Sequence, residues 1–249
     1  MMSAFFRYIR IQFFMDLRDR STLMNYYVVP ILFFFVIGSV FSSINPLMKA
    51  TLAASMSIFS ITMGSIMGAP LPIAKAKESG TLRAFRINGI PDAAVLVVRA
   101  LSSILHLMIV SAIIYFAAPP VLHAKIPPYP GAYTAVLLLY LCASVGIGVF
   151  IGTAARNQAM SSMLSMIVFL PTVLFSGIMF PVEMLPEGFR WVSWIFPGTY
   201  AMQAFIGLAY NSPTYFNSTF AILVLIGIGM VAYVVSFWRI GCIRNSEQA

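Results

Sequence analysis

The chain has 249 residues, of which 60% are hydrophobic and only 9% are charged. Soluble domains carry about a quarter charged residues, so this composition argues against a water-soluble fold and favours one membrane domain, 1–249. The net charge of +8 comes from Lys and Arg residues scattered between apolar runs, so we expect a lipid bilayer as a partner and no nucleic acid.

The first element in chain order, 1–22, is predicted to be an amphipathic interfacial helix. Apolar residues recur at helical spacing within 3–20, while Arg7, Arg10 and Arg18 supply cationic heads for the membrane surface. Charges also interrupt every early apolar stretch, so we expect no cleaved signal peptide. The alternative is a solvated helix that packs on cytoplasmic loops.

Six spans follow, because the uncharged stretches are each long enough to hold a membrane-spanning helix. Their predicted cores are 24–42, 52–72, 100–118, 133–153, 159–179 and 217–238. With six spans, only Lys49, Lys125 and Arg190 of the 15 Lys and Arg residues lie on the outer side. The positive-inside rule therefore favours an all-α membrane protein with six transmembrane helices, multi-pass in the inner (cytoplasmic) membrane, with both termini in the cytoplasm.

The connection between the second and third spans, 75–98, is the longest predicted cytoplasmic loop. It has a Gly80-Thr81 start and an Asn88-Gly89 end, which predict a short helix with defined boundaries. Three apolar residues in that helix are unusual for a solvated loop. Either the loop is an ordinary connection, or a cytoplasmic partner covers these side chains.

Two kinds of residue inside the predicted spans need an explanation. His106 is ionisable and a candidate for proton or substrate handling, but the sequence shows no intramembrane acid to pair with it. We prefer a neutral His that is hydrogen-bonded to a neighbouring helix. Gly64-x-x-x-Gly68 and Gly148-x-x-x-Gly152 allow helices to approach closely, and we prefer packing within the fold to a dimer seam.

Between the fifth and sixth spans lies the segment 180–212, and its residues 191–210 are apolar enough to form a seventh helix. Pro197 and Gly198 would then lie at its centre, and Arg239 and Arg244 would move to the outer side. Non-helical backbone at membrane depth survives only against protein or in a wet cavity. We therefore expect residues 187–210 to be re-entrant or interfacial, at the external face of the fold.

No sequence pattern predicts catalysis or metal binding. The chain contains no HExxH, no GxSxG and no phosphate-binding G-x-x-x-x-G-K-[ST] loop. Cys142 and Cys242 match neither a disulfide framework nor a zinc site. We therefore predict no catalytic residues, no metal site and no ATP hydrolysis by this chain, which we do not expect to be an enzyme.

Two segments resemble the ABC-2 family of transporter permeases, the membrane subunits of ATP-binding-cassette exporters. Glu78-Ser-Gly-Thr-Leu-Arg-Ala-Phe-Arg-Ile-Asn-Gly-Ile-Pro-Asp92 is similar to the family's coupling helix, an acidic-x-Gly-Thr-Leu pattern followed by a Pro turn. Ser176-Gly-Ile-Met-Phe-Pro-Val-Glu-Met-Leu-Pro186 with Phe196-Pro-Gly-Thr-Tyr200 is similar to the family's re-entrant external helices. The short outer loop at 43–51 resembles that of the compact drug and small-molecule exporters.

The resemblance implies a dimer of permeases, identical or homologous, bound to two copies of an ABC ATPase subunit. That ATPase would bind ATP and Mg, and we expect no cofactor in this chain. The residues implied in coupling to the ATPase are Glu78, Gly80, Thr81, Leu82, Arg83 and Phe85. Those implied in an external gate are Pro181, Pro186, Pro197, Gly198 and Tyr200. The candidates for the substrate pathway are Phe34, Met63 and Phe175. Core or lipid-facing positions would explain these last three equally well.

The expected function is export of a lipophilic or amphiphilic solute, such as a drug, an antibiotic or a lipid-like compound. A charged solute would lack partners in an uncharged path of low dielectric constant. Leu82 and Phe85 would be seated in a groove of the ATPase, while Glu78 and Arg83 make polar contacts with it. The alternatives are a stand-alone secondary transporter or channel, a membrane-embedded scaffold and an intramembrane enzyme.

Overall fold

Six long helices dominate the computed structural model, which describes residues 2–44, 49–179 and 182–246. They are called spans one to six and are Arg20–Val40, Leu52–Glu78, Asp92–Leu122, Pro130–Ala154, Gln158–Phe175 and Ser218–Gly241. Each is long and apolar enough to cross a membrane, and the described residues contain no strand. The predicted all-α fold with six transmembrane helices is confirmed.

Spans two and three continue beyond the cores predicted from the sequence. They contain 27 and 31 residues, which correspond to about 40 and 46 Å of helix at a rise of about 1.5 Å per residue. Since the hydrocarbon core of a bilayer is about 30 Å thick, both helices are long enough to extend beyond it. The sequence prediction ended them near the first charged residues, but a charge limits burial in lipid and does not end a helix. The residues between them are 79–91, inside the predicted 75–98 loop.

Span two is the centre of the bundle. In its apolar 18-residue window 94% of the residues are buried, compared with 22% in spans one and five. Phe59 of span two lies between Phe33 of span one, at a ring distance of 4.9 Å, and Phe169 of span five, at 6.1 Å. Spans one and five therefore flank the same side of span two, and few of their own residues are buried.

Glycines bring the spans into close contact. A Cβ atom at Gly148 in span four would overlap the carbonyl oxygen of Ser65 in span two, and one at Gly152 would lie 2.9 Å from that of Pro70. A Cβ atom at Gly64 in span two would overlap a leucine side chain of span three. The interpretation that both small-residue pairs serve packing within the fold is confirmed.

Three hydroxyl pairs also link span two to span four. With their oxygen–oxygen distances, they are Ser57–Tyr133 (2.9 Å), Thr62–Tyr140 (2.5 Å) and Ser65–Ser144 (2.5 Å). A buried hydroxyl group without a partner is destabilising, so these pairs favour one relative position of the two helices. The glycines permit close approach, and the hydroxyl groups fix how the helices are aligned along their length.

The two ends of the bundle differ in charge. Spans two, four and six end on one side, where Lys77 and Arg239 both donate hydrogen bonds to carbonyls at the end of span four; we call this the basic end. At the opposite end, called the far end, the N–H of Lys125 donates to the carbonyl of Lys49 at 3.1 Å. The bundle therefore has one strongly basic end and one end with few charges.

The N-terminal helix, Met2–Arg18, packs against span three near the basic end. Gln12 and Asp16 are buried, whereas Phe6 is 63% exposed. The predicted helix is therefore present. Its protein-facing side carries two polar residues that the amphipathic pattern did not single out.

Candidate functional site

The connection between spans two and three contains a seven-residue helix, Thr81–Ile87, here called the loop helix. Gly80 and Gly89 on either side have φ angles of 71° and 78°, a left-handed conformation that glycine adopts without strain. The N–H of Ile90 donates to the carbonyl of Phe85 at 2.9 Å just beyond the helix. The short helix with defined ends predicted from the Gly-Thr and Asn-Gly pairs is therefore confirmed.

The loop helix has one inward and one outward face. Leu82 is only 6% exposed and packs in the core of the chain, whereas Ile87 is 79% exposed. Arg83 and Ala84 are also exposed. The expectation that Leu82 is seated in a groove of a partner does not fit this orientation, because the chain itself already covers that side chain. Ile87 provides an exposed apolar side chain on this helix instead.

Further contacts hold the loop helix against the rest of the chain. The guanidinium of Arg86 lies 2.7 Å from the carboxylate of Asp92, the first residue of span three. The half-buried ring of Phe85 lies 6.3 Å from the ring of Tyr8 in the N-terminal helix. The loop helix is therefore tied to both span three and the N-terminal helix.

Lys77 and Glu78, the last residues of span two, contact the turn between spans four and five. The ammonium group of Lys77 donates to the carbonyls of Thr153 and Ala155 at 2.8 and 2.6 Å. The carboxylate of Glu78 accepts from the backbone N–H and the side-chain amide of Gln158 at 3.0 and 3.3 Å. The carboxylate that the resemblance assigns to the ATPase interface thus has partners inside this chain. The sequence analysis did not identify Lys77 or Gln158.

A polar cluster joins the N-terminal helix to span three at Asp16. Its carboxylate accepts hydrogen bonds from Gln12 at 2.7 Å, from Arg99 at 3.2 Å and from Ser102 at 2.6 Å. The side chain of Asp16 is 11% exposed, so water screens its ion pair with Arg99 only weakly. The sequence prediction missed this cluster because it treated the N-terminal segment as a surface helix without specific protein partners.

His106 is fully buried beside this cluster. Its Nε2 atom lies 4.0 Å from Asp16, and its Nδ1 atom lies 2.7 Å from the hydroxyl group of Tyr27. The sequence shows no intramembrane acid to pair with His106, but the structure brings the carboxylate of Asp16, from the N-terminal helix, close to it. When the Tyr27 hydroxyl donates to Nδ1, a neutral imidazole carries its proton on Nε2, the nitrogen that lies 4.0 Å from Asp16. The hydrogen bond to a neighbouring helix that we expected of a structural His is present.

A polar cavity of about 340 Å³ lies between the N-terminal helix, the start of span one and the end of span two. Its lining includes the charged side chains Asp16, Asp19, Lys75 and Arg99. Such a lining suits water or a small polar group. It does not suit the lipophilic solute expected from the sequence, so we do not assign the substrate pathway to this cavity.

The segment predicted as an external gate contains two short helices, Glu187–Ser193 and Pro197–Ala204, at the far end. Pro186 is the N-cap of the first short helix, and Pro197 is the first residue of the second. Proline suits the start of a helix because an N–H there would have no partner within the helix. Pro181, the remaining proline of the predicted gate, lies outside the described residues.

Gly198 and Tyr200 position the second short helix. A Cβ atom at Gly198 would lie 2.9 Å from the side chain of Ser176, just beyond the end of span five. The hydroxyl of Tyr200 donates to the carbonyl of Trp194 at 2.7 Å. All 8 residues of this helix are buried. Its backbone therefore lies against protein, which is the condition for broken helices at membrane depth.

The three candidates for the substrate pathway lie in different environments. Phe34 is 2% exposed and Met63 is 9% exposed, so both belong to the core of this chain. Phe175 is half-buried and stacks on Phe189 of the first short helix with 5.2 Å between ring centroids. Residues 28–37 of span one are all apolar, so the sequence could not show that Phe34 faces inward and that Phe35 is exposed.

A family model described as ABC-2 type transporter matches residues 3–210, which include spans one to five, the loop helix and both short helices. The chain belongs to the ABC-2 type transporter family. Two relatives, from Escherichia coli strains K12 and O157:H7, are named probable multidrug ABC transporter permease YbhS. Each is 30% identical over 92 residues, which are 34% of this chain and 24% of the relative. The match thus spans about a quarter of the length of these relatives.

Members of the ABC-2 family are in general membrane subunits that work with an ABC ATPase partner. In this ABC-2 chain the loop helix lies at the basic end and the two short helices lie at the far end. The contacts of Lys77 and Glu78 connect the neighbourhood of the loop helix to span five. These contacts and span five therefore connect the loop helix with the two short helices, which are the two regions that resemble segments of the family.

Proposed function

We propose that this chain is the permease subunit of an ABC exporter that moves a lipophilic or amphiphilic solute across the cytoplasmic membrane. Two copies of a separate ATPase subunit, which bind ATP and Mg, drive transport, and a second permease completes the pathway. The observation that carries the proposal is the exposed face of the loop helix, where Ile87 is 79% exposed beside Arg83. An apolar side chain in water at the basic end is a natural contact for a soluble subunit.

The proposed orientation places the basic end, the loop helix and both termini in the cytoplasm. Support comes from the charges: Lys75, Lys77 and Arg99 lie at the basic end, whereas Lys49 and Lys125 lie at the far end. Basic residues are enriched on the cytoplasmic side of membrane proteins. The ATPase and its ATP would then be on the same side as the loop helix.

The proposed solute class is supported by the surface that spans one and five share. Both flank Phe59 of span two, and most of their exposed side chains are apolar. They include Leu32, Phe35, Val36, Met166, Ile167 and Leu170. A pathway between two permeases at this surface would favour amphiphilic compounds over ions. The name of the Escherichia coli relatives, a multidrug permease, agrees with this class.

The second short helix is proposed as the external gate. It is buried at the far end, where Gly198 lies against Ser176 at the end of span five. A shift of span five would therefore displace this helix directly. In this proposal Pro186, Pro197 and Tyr200 shape the two short helices, and Gly198 is the point at which span five contacts them.

Co-purification with the ATPase tests the proposed function. A tagged parent chain in mild detergent should retain an ABC ATPase subunit that mass spectrometry identifies. The variant Arg83→Glu/Ile87→Asp places negative charge on the exposed face of the loop helix and should lower ATPase recovery by about tenfold or more, equivalent to about 1.4 kcal/mol of binding free energy. The variant Lys125→Glu/Ile126→Asp makes the same charge change on exposed residues of the far end and should retain the ATPase.

Equal ATPase recovery with the two variants would show that the loop helix is not the docking surface. Absence of any ATPase under several gentle conditions, with transport that continues without ATP, would favour a stand-alone secondary transporter or channel. The pair formed by His106 and Asp16 is the observation that supports this second candidate. Ionisable residues inside membrane bundles often serve proton-coupled transport.

A further inference from the structure

We propose that Lys77 and Glu78 form a clamp that transmits movement of the loop helix to spans four and five. The clamp is defined as these two side chains and their contacts with the turn between spans four and five. Both are positioning residues, because they act through the end of span four and the start of span five. That an ATPase moves the loop helix rests on the proposed function, whereas the clamp itself rests on contacts within this chain.

Lys77 forms the half of the clamp that holds span four. The last carbonyl groups of a helix have no partner within the helix, and they carry its partial negative charge. The ammonium group of Lys77 donates to two carbonyls at this end, those of Thr153 and Ala155, at 2.8 and 2.6 Å. Arg239 of span six adds a third contact at the carbonyl of Ala154, at 3.3 Å. The cation thus both bonds to the end of span four and matches its charge.

Glu78 forms the half of the clamp that holds span five. The first N–H groups of a helix lack partners within the helix and carry partial positive charge, so a carboxylate is favourable there. Gln158, the first residue of span five, donates its backbone N–H to Glu78 at 3.0 Å. The order of the two charges therefore matches the two helix ends, with the cation at the end of span four and the anion at the start of span five.

The clamp lies directly beside the loop helix along the chain. Only Ser79 and Gly80 separate Glu78 from that helix. Their N–H groups donate back to the carbonyls of Lys75 and Lys77 at 2.9 and 3.2 Å, so the connection is a tight turn. A displacement of the loop helix therefore acts on the end of span two, and the clamp passes that displacement to the turn between spans four and five.

Span five continues from the clamp to the second short helix. Ser176 follows the last residue of span five, and its side chain would lie only 2.9 Å from a Cβ atom at Gly198. The side chain of Thr172, in the last turn of span five, would lie 3.5 Å from the same atom. A contiguous path therefore runs from the loop helix through the clamp and span five to the proposed gate. Spatial continuity by itself does not demonstrate coupling, so the test measures the coupling directly.

A double-mutant cycle on the full chain in lipid nanodiscs tests the clamp without an ATPase. Leu82→Ala removes the side chain that seats the loop helix in the core, and Glu78→Ala removes half of the clamp. The measurement is amide hydrogen exchange at the start of span five, residues 158–161. We expect Leu82→Ala to raise this exchange about fivefold or more in the parent, and to have much less effect when Glu78→Ala is present.

A second clamp variant and a matched control complete the cycle. Lys77→Met should also reduce the response to Leu82→Ala, whereas Lys75→Met, the same change at an exposed lysine two residues earlier, should leave it as in the parent. A purely structural role would change the baseline exchange without changing the response to Leu82→Ala. Additive effects at both clamp positions, or an equal effect of Lys75→Met, would overturn the proposal.

The complex with the ATPase separates failure of the clamp from failure of the proposed function. The clamp variants should still co-purify with the ATPase. The reporter is Ile195→Cys, at an exposed site of the far end, in a chain in which Cys142 and Cys242 are replaced by serine. In the parent, a non-hydrolysable ATP analogue should change the rate at which maleimide labels this cysteine. The clamp variants should lose that change. A full nucleotide response in both clamp variants would contradict the clamp. A parent chain that binds no ATPase would contradict the proposed function, and the exchange cycle would then decide on the clamp.

Discussion

Among single residues, the glycines of this chain differ in how much space a Cβ atom would find at each position. Gly148 faces the carbonyl oxygen of Ser65, and a Cβ atom there would overlap it. Gly227 in span six has no neighbouring side chain and no other helix within 4 Å of the position that its Cβ would occupy. The difference follows from what lies opposite each residue, a backbone in one case and open space in the other.

Gly148→Ala should therefore destabilise the bundle, whereas Gly227→Ala should not. The new methyl group would push span four away from span two, and overpacking of this kind lowers the free energy of unfolding by about 1–3 kcal/mol. Thermal unfolding of the two variants in the same detergent provides the measurement. Equal midpoints for the two variants would mean that spans two and four are not packed as closely as the structure places them.

Among the elements, the N-terminal helix differs most from a simple surface helix. Its polar residues Gln12 and Asp16 face span three, while apolar residues such as Phe6 and Phe14 are exposed. Arg99 lies 83 residues away from Asp16 along the chain. The helix is thus positioned by a largely shielded ion pair, and its exposed apolar residues are free to contact lipid.

Asp16→Asn should loosen the N-terminal helix by leaving Arg99 without its anionic partner. Removing one member of a largely shielded, hydrogen-bonded charge pair lowers stability by about 1–3 kcal/mol. The double variant Asp16→Asn/Arg99→Gln removes both charges and should recover part of that loss. Limited proteolysis of the first 20 residues, together with thermal unfolding, measures the effect. A double variant that is no more stable than Asp16→Asn would mean that the charge pair is not what holds the helix.

The existence of the helices could be predicted from the sequence, but the direction of their side chains could not. Uncharged length located all six spans, and the Gly-Thr and Asn-Gly pairs located the loop helix. Where a segment is apolar on every side, hydrophobic periodicity gives no inward face. The sequence therefore could not distinguish a pathway, a lipid-facing or a core position for Phe34, which lies in the core. Leu82 was assigned to a partner for a similar reason, since an apolar residue in a loop fits a partner as well as its own core.

For the whole molecule, sequence reasoning could give the order of the spans but not their arrangement. Alternating uncharged stretches and basic loops define how many helices there are and which ends lie together. The central place of span two, and the contact between Glu78 and Gln158, 80 residues apart, depend on how the helices pack. Small residues and hydroxyl groups determine that packing, and they leave only weak patterns in the sequence.

The exposed surface that spans one and five share predicts where a second permease binds. Both spans are 22% buried in their apolar windows and flank the same side of span two, so an assembled transporter would cover this surface. In a chain without its native cysteines, Ile167→Cys in span five should form a covalent product with a second permease under mild oxidation. Val231 in span six is 62% exposed, compared with 61% for Ile167. Val231→Cys should form no covalent product, because span six packs on span four away from this surface. Denaturing gels and mass spectrometry identify the product, and its mass shows whether the second permease is an identical chain. Cross-linking at Val231→Cys but not at Ile167→Cys would place the contact between permeases at span six. It would contradict a pathway between two permeases at the surface that spans one and five share.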